Sequence, residues 1–424
     1  MLKKLLICFI LLTQYIYAID ATMEIIKRKS TLPNISVIVD KSSSSNLSLA
    51  NKLAALVEKD LIVSGHFNTS DIKIDTAFEE YPEFKLLTSN GIDLSLIIQF
   101  KANQLKGAIV NIKLYDINSK SLVLNKSYST SSKTRYPFLS HKIAIDVNKY
   151  LNAPSINWMD KFVIFSRYLN SRQSEIVISD YTLTYQKVVV RGGLNIFPKW
   201  ASKKQENFYY TTYKYGKPTL IKQNLFTKKI KKLLSSDGMI VCSDVSSDGS
   251  KLVLTMAPNS QPDIYVYDLK TKLKKRITTY RGIDVGGSFV EDDKKIVFVS
   301  DRLKYPNIFA KSINGRGIER LIYHGKNNSQ CTTYKDYIVY SSRETDNEFG
   351  RNSFNLYLIS TKSDYLRRLT TNGRNQFPKF SEDGESILFI KNDTRGSHLG
   401  IIRVNYNKSF LFNLKSGKLQ SIDW

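Results

Sequence analysis

Chemistry in a protein of unknown role is sought first among the residues able to perform it, and here they are few and scattered. His66 and His141 lie in the first third of the chain with no second ligand at metal-binding spacing. They read as solvent-facing or helix-end histidines, the ordinary state of a lone imidazole without partners. The acid pairs Glu79–Glu80 and Asp292–Asp293 fall in expected turns or loops, where solvated carboxylates are the rule. Phosphate-cradling glycine loops, a His-Glu-x-x-His helix and a Gly-x-Ser-x-Gly nucleophile elbow are all missing from the sequence. Only 3 cysteines occur, too few for a disulfide scaffold or a cysteine-rich zinc site. Neither cofactor nor metal is expected, and nothing rises above a binding scaffold.

The elements around these residues say more. Residues 1–18 join Lys3 and Lys4 to an apolar run from Leu5 to Leu12 and end on Ala18, the layout of a secretory signal. Cleavage between Ala18 and Ile19 is expected. The run is shorter than the roughly 20 residues that span a bilayer, which disfavours a membrane anchor. The mature protein is expected in an extracytoplasmic space. There Cys242 and Cys331 are the remaining thiols.

An α/β domain is expected over 19–152. Residues 35–40 form a β-branched run, and Leu49, Leu53, Leu56, Val57 and Leu61 recur at helical spacing. Gly65 stands where a helix wants a left-handed terminus. Two alternating strands follow at Ile92–Phe100 and Gly107–Tyr115, and Lys120–Asn125 leads into a third. A helix over Ser140–Leu151 completes the domain.

The rest of the chain repeats. Asn195-Ile-Phe-Pro-Lys-Trp200 returns as Asn375-Gln-Phe-Pro-Lys-Phe380, and weaker copies end on Val245, Phe289, Tyr334 and Trp424. These anchors recur about every 45 residues, a period that signals stacked supersecondary units. After each anchor comes a turn, clearest as Ser247-Asp-Gly-Ser250 and Glu382-Asp-Gly-Glu385, and then three alternating strands. Four strands per repeat are propeller blades. Residues 161–192 supply three strands without an anchor, and Leu419–Trp424 is an anchor strand with nothing after it. Pairing the two predicts a six-bladed β-propeller over 156–424, closed by the C-terminal strand. Cys242 and Cys331 take the same station in blades that are not neighbours, so two reduced thiols are expected near the channel. The segments at Asn195, Ile240, Asp284, Ser329 and Asn375, each five residues before its anchor, are expected to ring one channel mouth. Loops on a rigid scaffold are where binding is usually placed.

Lys and Arg number 63 against 38 Asp and Glu, a net charge of +25. The clusters at Lys203–Lys204, Lys228–Lys232, Lys272–Arg276 and Arg367–Arg368 are spread along the chain without a single basic arm. Nucleic-acid binding, which needs charge on one face, is not expected; attraction to anionic surfaces, lipid headgroups included, stays open.

Taken together, the sequence resembles the TolB family of periplasmic Tol–Pal proteins over essentially the whole mature chain. The likeness rests on Leu49-Ala-Asn-Lys-Leu-Ala-Ala-Leu-Val-Glu-Lys-Asp-Leu61, on Ser64-Gly-His-Phe-Asn68 and on Gly91-Ile-Asp93. In the repeats it rests on Phe197-Pro-Lys-Trp200, Asp244-Val-Ser-Ser-Asp-Gly249 and Phe377-Pro-Lys-Phe380. The units at Phe289 and Tyr334 depart from the family, carrying Glu291-Asp-Asp293 and Lys335-Asp336 in place of Asp-Gly. The segment Ile19–Ile26 is only loosely similar to the family's N-terminal strand. The resemblance implies a periplasmic, non-enzymatic adaptor that is peripheral to membranes. It implies binding of the peptidoglycan-associated lipoprotein Pal over the propeller face and of TolA of the inner membrane through the N-terminal segment. Outer-membrane integrity and envelope constriction at cell division would depend on it. An exported propeller enzyme, a carbohydrate-binding protein, or a secreted interaction protein with another partner are the other readings.

Overall fold

A computed structural model describes residues 32–41, 46–72, 74–102, 107–346 and 352–424. The expected leader with its Ala18–Ile19 junction, and the segment Ile19–Ile26, lie outside the described residues. Among the described residues no helix is long and apolar enough to cross a membrane.

The first elements are β1 (Asn34–Val39), α1 (Leu47–Ser64), β2 (Asn68–Ser70), α2 (Phe84–Ser89), β3 (Leu94–Ala102), β4 (Ala108–Asp116), β5 (Ser121–Thr130) and α3 (Tyr136–Tyr150). They form a sheet of order β2-β1-β3-β4-β5, with β1 parallel to both its neighbours. Alternate strand residues serve two cores. Val37, Leu96 and Ile98 meet Leu53, Val57 and Leu61 of α1 and Ile143 and Val147 of α3. Ile38 and Ile97 point the other way, under Ile74, Phe78 and Leu87. The helix expected from leucine spacing ends as expected, with Gly65 at φ 81° and its N–H on the Ile62 carbonyl. A Cβ there would also come within 3.0 Å of the Tyr406 ring, so glycine meets two demands at once. The short β2 and α2 carry no pattern long enough to be read from sequence.

Four-stranded sheets follow. One contains β6 (Val163–Asn170), β7 (Gln173–Ser179) and β8 (Gln186–Val190). The next are β9 (Asn195–Trp200), β10 (Asn207–Thr212), β11 (Thr219–Asn224), β12 (Ile230–Ser235), then β13 (Ile240–Val245), β14 (Lys251–Met256), β15 (Asp263–Asp268), β16 (Lys274–Arg276). After these come β17 (Asp284–Val290), β18 (Lys295–Ser300), β19 (Asn307–Ser312) and β20 (Glu319–Arg320). The sets β21 (Lys326–Tyr334), β22 (Tyr337–Arg343), β23 (Phe354–Ser360), β24 (Leu366–Arg368) and β25 (Arg374–Phe380), β26 (Ser386–Asp393), β27 (Gly396–Arg403), β28 (Lys408–Asn413) are bridged by one parallel pair, Phe354 with Arg374. Finally β29 (Lys418–Asp423) runs antiparallel to β6, pairing Ile422 with Phe165. The sheet order there is β29-β6-β7-β8.

The middle strands are buried on both faces. In β14, Leu252 and Leu254 share a core with Tyr209 and Leu220, whereas Val253 packs with Phe289 and Ile296. Each sheet is thus sandwiched between its neighbours, and strands read from sequence as alternating are in fact apolar almost throughout. The turn Glu291-Asp-Asp293 replaces Asp-Gly with three consecutive positive-φ residues, and Asp293 accepts the Ser247 N–H from the sheet before at 2.8 Å.

Pro33–Trp424 form one compact unit, and the two histidines explain part of the join. Both are buried, which corrects the reading of them as solvent-facing. His141 of α3 places Nδ1 2.7 Å from Asp60 Oδ2 of α1 and Nε2 3.4 Å from Asp180 Oδ2, which follows β7. The Tyr181 hydroxyl donates to Asp60 Oδ1 at 2.5 Å. Burial alone would strip the imidazole of its proton, but the carboxylates of Asp60 and Asp180 raise its pKa to about 10. His66 is the opposite case: burial lowers it to about 4. As a neutral ring it donates from Nδ1 to Asn148 Oδ1 and accepts from the Tyr406 hydroxyl, both at 2.5 Å. The partners come from distant sequence, which is why the histidines look lone in one dimension.

Candidate functional site

Strands β9, β13, β17, β21, β25 and β29 all contribute to the wall of one cavity of about 300 Å³. Every one of them is irregular two to four residues before its anchor. Register shifts fall around Phe197, Ser243, Gly286, Gln330, Phe377 and Gln420. A bulge inserts an unpaired residue and re-aims side chains, and here it turns the strand into the cavity. At four of the six stations the backbone is left-handed: Phe197 φ 53°, Gly286 φ 66°, Gln330 φ 51° and Phe377 φ 53°. For glycine this is free. For the other three it costs on the order of 1–3 kcal/mol each, strain that collects at binding and switch sites. Gln330 links two sheets, its Oε1 accepting the Phe377 N–H at 3.1 Å.

One residue before each anchor lies a polar ring: Lys199, Asp244, Ser288, Thr333, Lys379 and Asp423. Lys199 Nζ sits 3.1 Å from Asp423 Oδ1 and 3.2 Å from Asp244 Oδ1. Against the desolvating effect of burial, the two carboxylates hold its pKa above the ordinary lysine value. The same acids stitch neighbouring sheets together, Asp423 Oδ2 accepting the Trp200 N–H and Asp244 Oδ2 the Phe289 N–H, both at 2.9 Å. Lys379 has no acidic partner at ion-pair distance among the described residues, and burial together with Lys199 lowers its pKa. Cys242 and Cys331 are free, buried and on the cavity wall. Burial pushes both thiols up, Cys331 to about 12, so neither is a nucleophile at neutral pH. An apolar wall over a ring of two lysines and two aspartates is equipped to hold a partner group.

The five residues expected at the mouth start these same strands or lie near their beginning, and most of their side chains turn inward. Asn195 Nδ2 donates to the carbonyls of Gly192 and Ser174 at 3.0 and 3.2 Å, and Asn375 Nδ2 to those of Asn372 and Phe354 at 2.8 and 2.9 Å. Asp284 takes both its oxygens to Arg302 Nη2 at 3.0 Å. Ile240 is buried in an apolar cluster. Ser329 is half-buried in the doubly bulged β21, and the carbonyl-binding role of Asn195 falls in that unit to Asn328, which donates to the His324 carbonyl at 2.7 Å. The cavity itself is lined by residues one or two positions further on: Phe197, Val241, Gly286, Gln330 and Phe377. The polar ring carries a readable signal, a polar residue before every anchor. The left-handed stations carry none, since three of the four are not glycine.

A family model described as TolB beta propeller domain matches residues 161–424. The chain is 47% identical over 414 residues to the Tol-Pal system protein TolB of Wolinella succinogenes, covering 96% of this chain and 97% of that one. It is 46% identical over 425 residues, the full length of both, to the protein of the same name from Campylobacter jejuni. The crystal structure of TolB from Acinetobacter baumannii matches with a TM-score of 0.76 at 20% identity, over 92% of this chain and 96% of that one. At that identity the likeness concerns fold.

Proposed function

The chain belongs to the TolB family, and from that premise we propose that it is a periplasmic adaptor of a Tol–Pal system rather than an enzyme. In this reading residues 1–18 direct export and are removed between Ala18 and Ile19. An α/β domain (19–152) then precedes a propeller (156–424) of six blades, closed by β29. The register of β29 on β6 and the single cavity shared by six first strands support that closure. A Pal-like outer-membrane lipoprotein docks at the mouth formed around Asn195, Ile240, Asp284, Ser329 and Asn375. A TolA-like inner-membrane protein engages the segment after Ile19. Linking the two supports outer-membrane integrity and envelope constriction at division, with no cofactor and no nucleic acid involved.

The observation that carries the docking site is the apolar cavity with its strained lining residues Phe197, Gln330 and Phe377. Because the five mouth residues are largely built into the sheets, the test belongs on the lining. Val241→Arg fills the opening from a half-buried position. Calorimetry against the soluble domain of the organism's peptidoglycan-binding lipoprotein is expected to show a loss of about tenfold or more, the scale of an interface hot spot, with an unaltered melting temperature. Equal affinity in a folded variant would overturn the docking site.

A further inference from the structure

The hairpins joining β11 to β12 and β15 to β16 are built alike. Asn224 Oδ1 accepts the N–H groups of Phe226 and Thr227 at 3.0 and 2.8 Å, and Asp268 Oδ1 those of Lys270 and Thr271 at 2.9 and 2.8 Å. Both turns then pass through a left-handed lysine, Lys228 at φ 59° and Lys272 at φ 64°. The two sheets share strand order and a common core between them, so the two tips emerge side by side at one edge of the molecule.

Every residue of 226–232 and of 270–276 is exposed. Three are apolar: Phe226 at 67%, Ile230 at 56% and Leu273 at 71% exposure. Nine are basic and none is acidic. Arg276 is held by Asp263, but among the described residues the eight lysines have no acidic partner at ion-pair distance. Lys232 sits over the Tyr215 ring instead, and Lys275 donates to Asn314. A surface made only for solubility intersperses the two signs and keeps large apolar side chains few. This edge does neither.

We propose that it is a docking surface for an anionic phospholipid bilayer. The lysines supply attraction to the headgroup layer, each acting near the surface and within a Debye length. Phe226, Ile230 and Leu273 enter the boundary between headgroups and acyl chains, as apolar residues of peripheral proteins do. Lysine fits a diffuse layer of charge, whereas fixed phosphates are read by arginine forks and aromatic platforms. The only arginine of the two hairpins is already taken. The surface stands apart from the cavity and does not depend on what the cavity holds.

Co-sedimentation of the purified protein with phosphatidylcholine vesicles, with and without phosphatidylglycerol, tests this. Binding to the anionic vesicles is expected to be about tenfold tighter or more and to weaken as salt rises. The combination Lys228→Glu, Lys229→Glu, Lys272→Glu, Lys274→Glu should lower it by roughly a hundredfold or more, since each lysine near the surface is worth about fivefold. The same charge change at Lys52, Lys85, Lys408 and Lys415, exposed elsewhere, should cost far less. Phe226→Ser with Leu273→Ser should weaken binding with all charges kept. Phe226→Trp, which preserves a large apolar tip, should bind normally and be quenched by brominated acyl chains. Equal binding to neutral vesicles, or equal losses in the two charge-reversed proteins, overturns the proposal. So does capture of polyglutamate or an oligonucleotide through these lysines without any vesicle binding.

Discussion

Opposite protonation states hold the two histidines at the join between the helices and the sheets. His141 binds its proton more tightly in the folded protein than unfolded, about 10 against 6.5. Its contribution is therefore fully present below pH 6.5 and is lost as pH rises through 10. His66 is the reverse, about 4 against 6.5, so its contribution is present above pH 6.5 and is lost as pH falls through 4. Melting temperatures recorded from pH 4 to 10 should fall on both sides of a maximum near neutrality. His141→Gln should flatten the alkaline side and His66→Gln the acid side; parallel profiles for variants and parent would contradict the assignment. His141→Ala should cost about 3–5 kcal/mol in chemical denaturation, because it leaves Asp60 and Asp180 buried without their cation. None of this was legible in the sequence. The Asp60 and Tyr406 partners lie 81 and 340 residues away, and only the fold brings them near.

Strands explain why the five mouth positions are poor probes of binding. Asn195 and Asn375 each bridge two carbonyls inside the sheets. Asn195→Ala and Asn375→Ala should each cost about 1–3 kcal/mol, the penalty for leaving such groups unpaired. Ser329→Ala should fall within about 0.5 kcal/mol, since Asn328 takes the bridging role there. Urea titrations of the three variants would check the order, and a costly Ser329→Ala would show that the register of β21 is misread. The anchors and most strands were legible because their spacing is regular and the repeats align. Their irregularities were not. Phe197 and Phe377 look like core aromatics of a strand, and nothing in their type announces a left-handed backbone at the cavity wall.

For the molecule as a whole, the decisive pairing is β29 on β6. Trp424 follows β29, its ring 5.4 Å from that of Trp158 and its Nε1 donating to the Phe380 carbonyl at 2.7 Å. Deleting Leu419–Trp424 bares an edge of β6, frees Asp423's hold on Lys199 and removes a partly buried tryptophan packed against the core. An insoluble or molten product is expected. A truncated protein melting within a degree or two of the parent would sink the six-blade closure. The repeat period made the successive strand sets readable from sequence, because each unit returns to the same anchor. The polar join to the α/β domain has no period and stayed hidden.

That pairing also sets an order in time. Ser166 and Ser421 share a hydrogen bond across 255 residues of chain, and contacts of such long range form late, after a costly loop closure. If the chain is exported as proposed, β6, β7 and β8 reach the far side of the membrane long before β29 does. For that interval their sheet lacks its first strand and the cavity lacks part of its wall. The native fold is then withheld from any chain still in transit, which keeps it threadable, and a nascent chain stalled before residue 418 should remain open to protease.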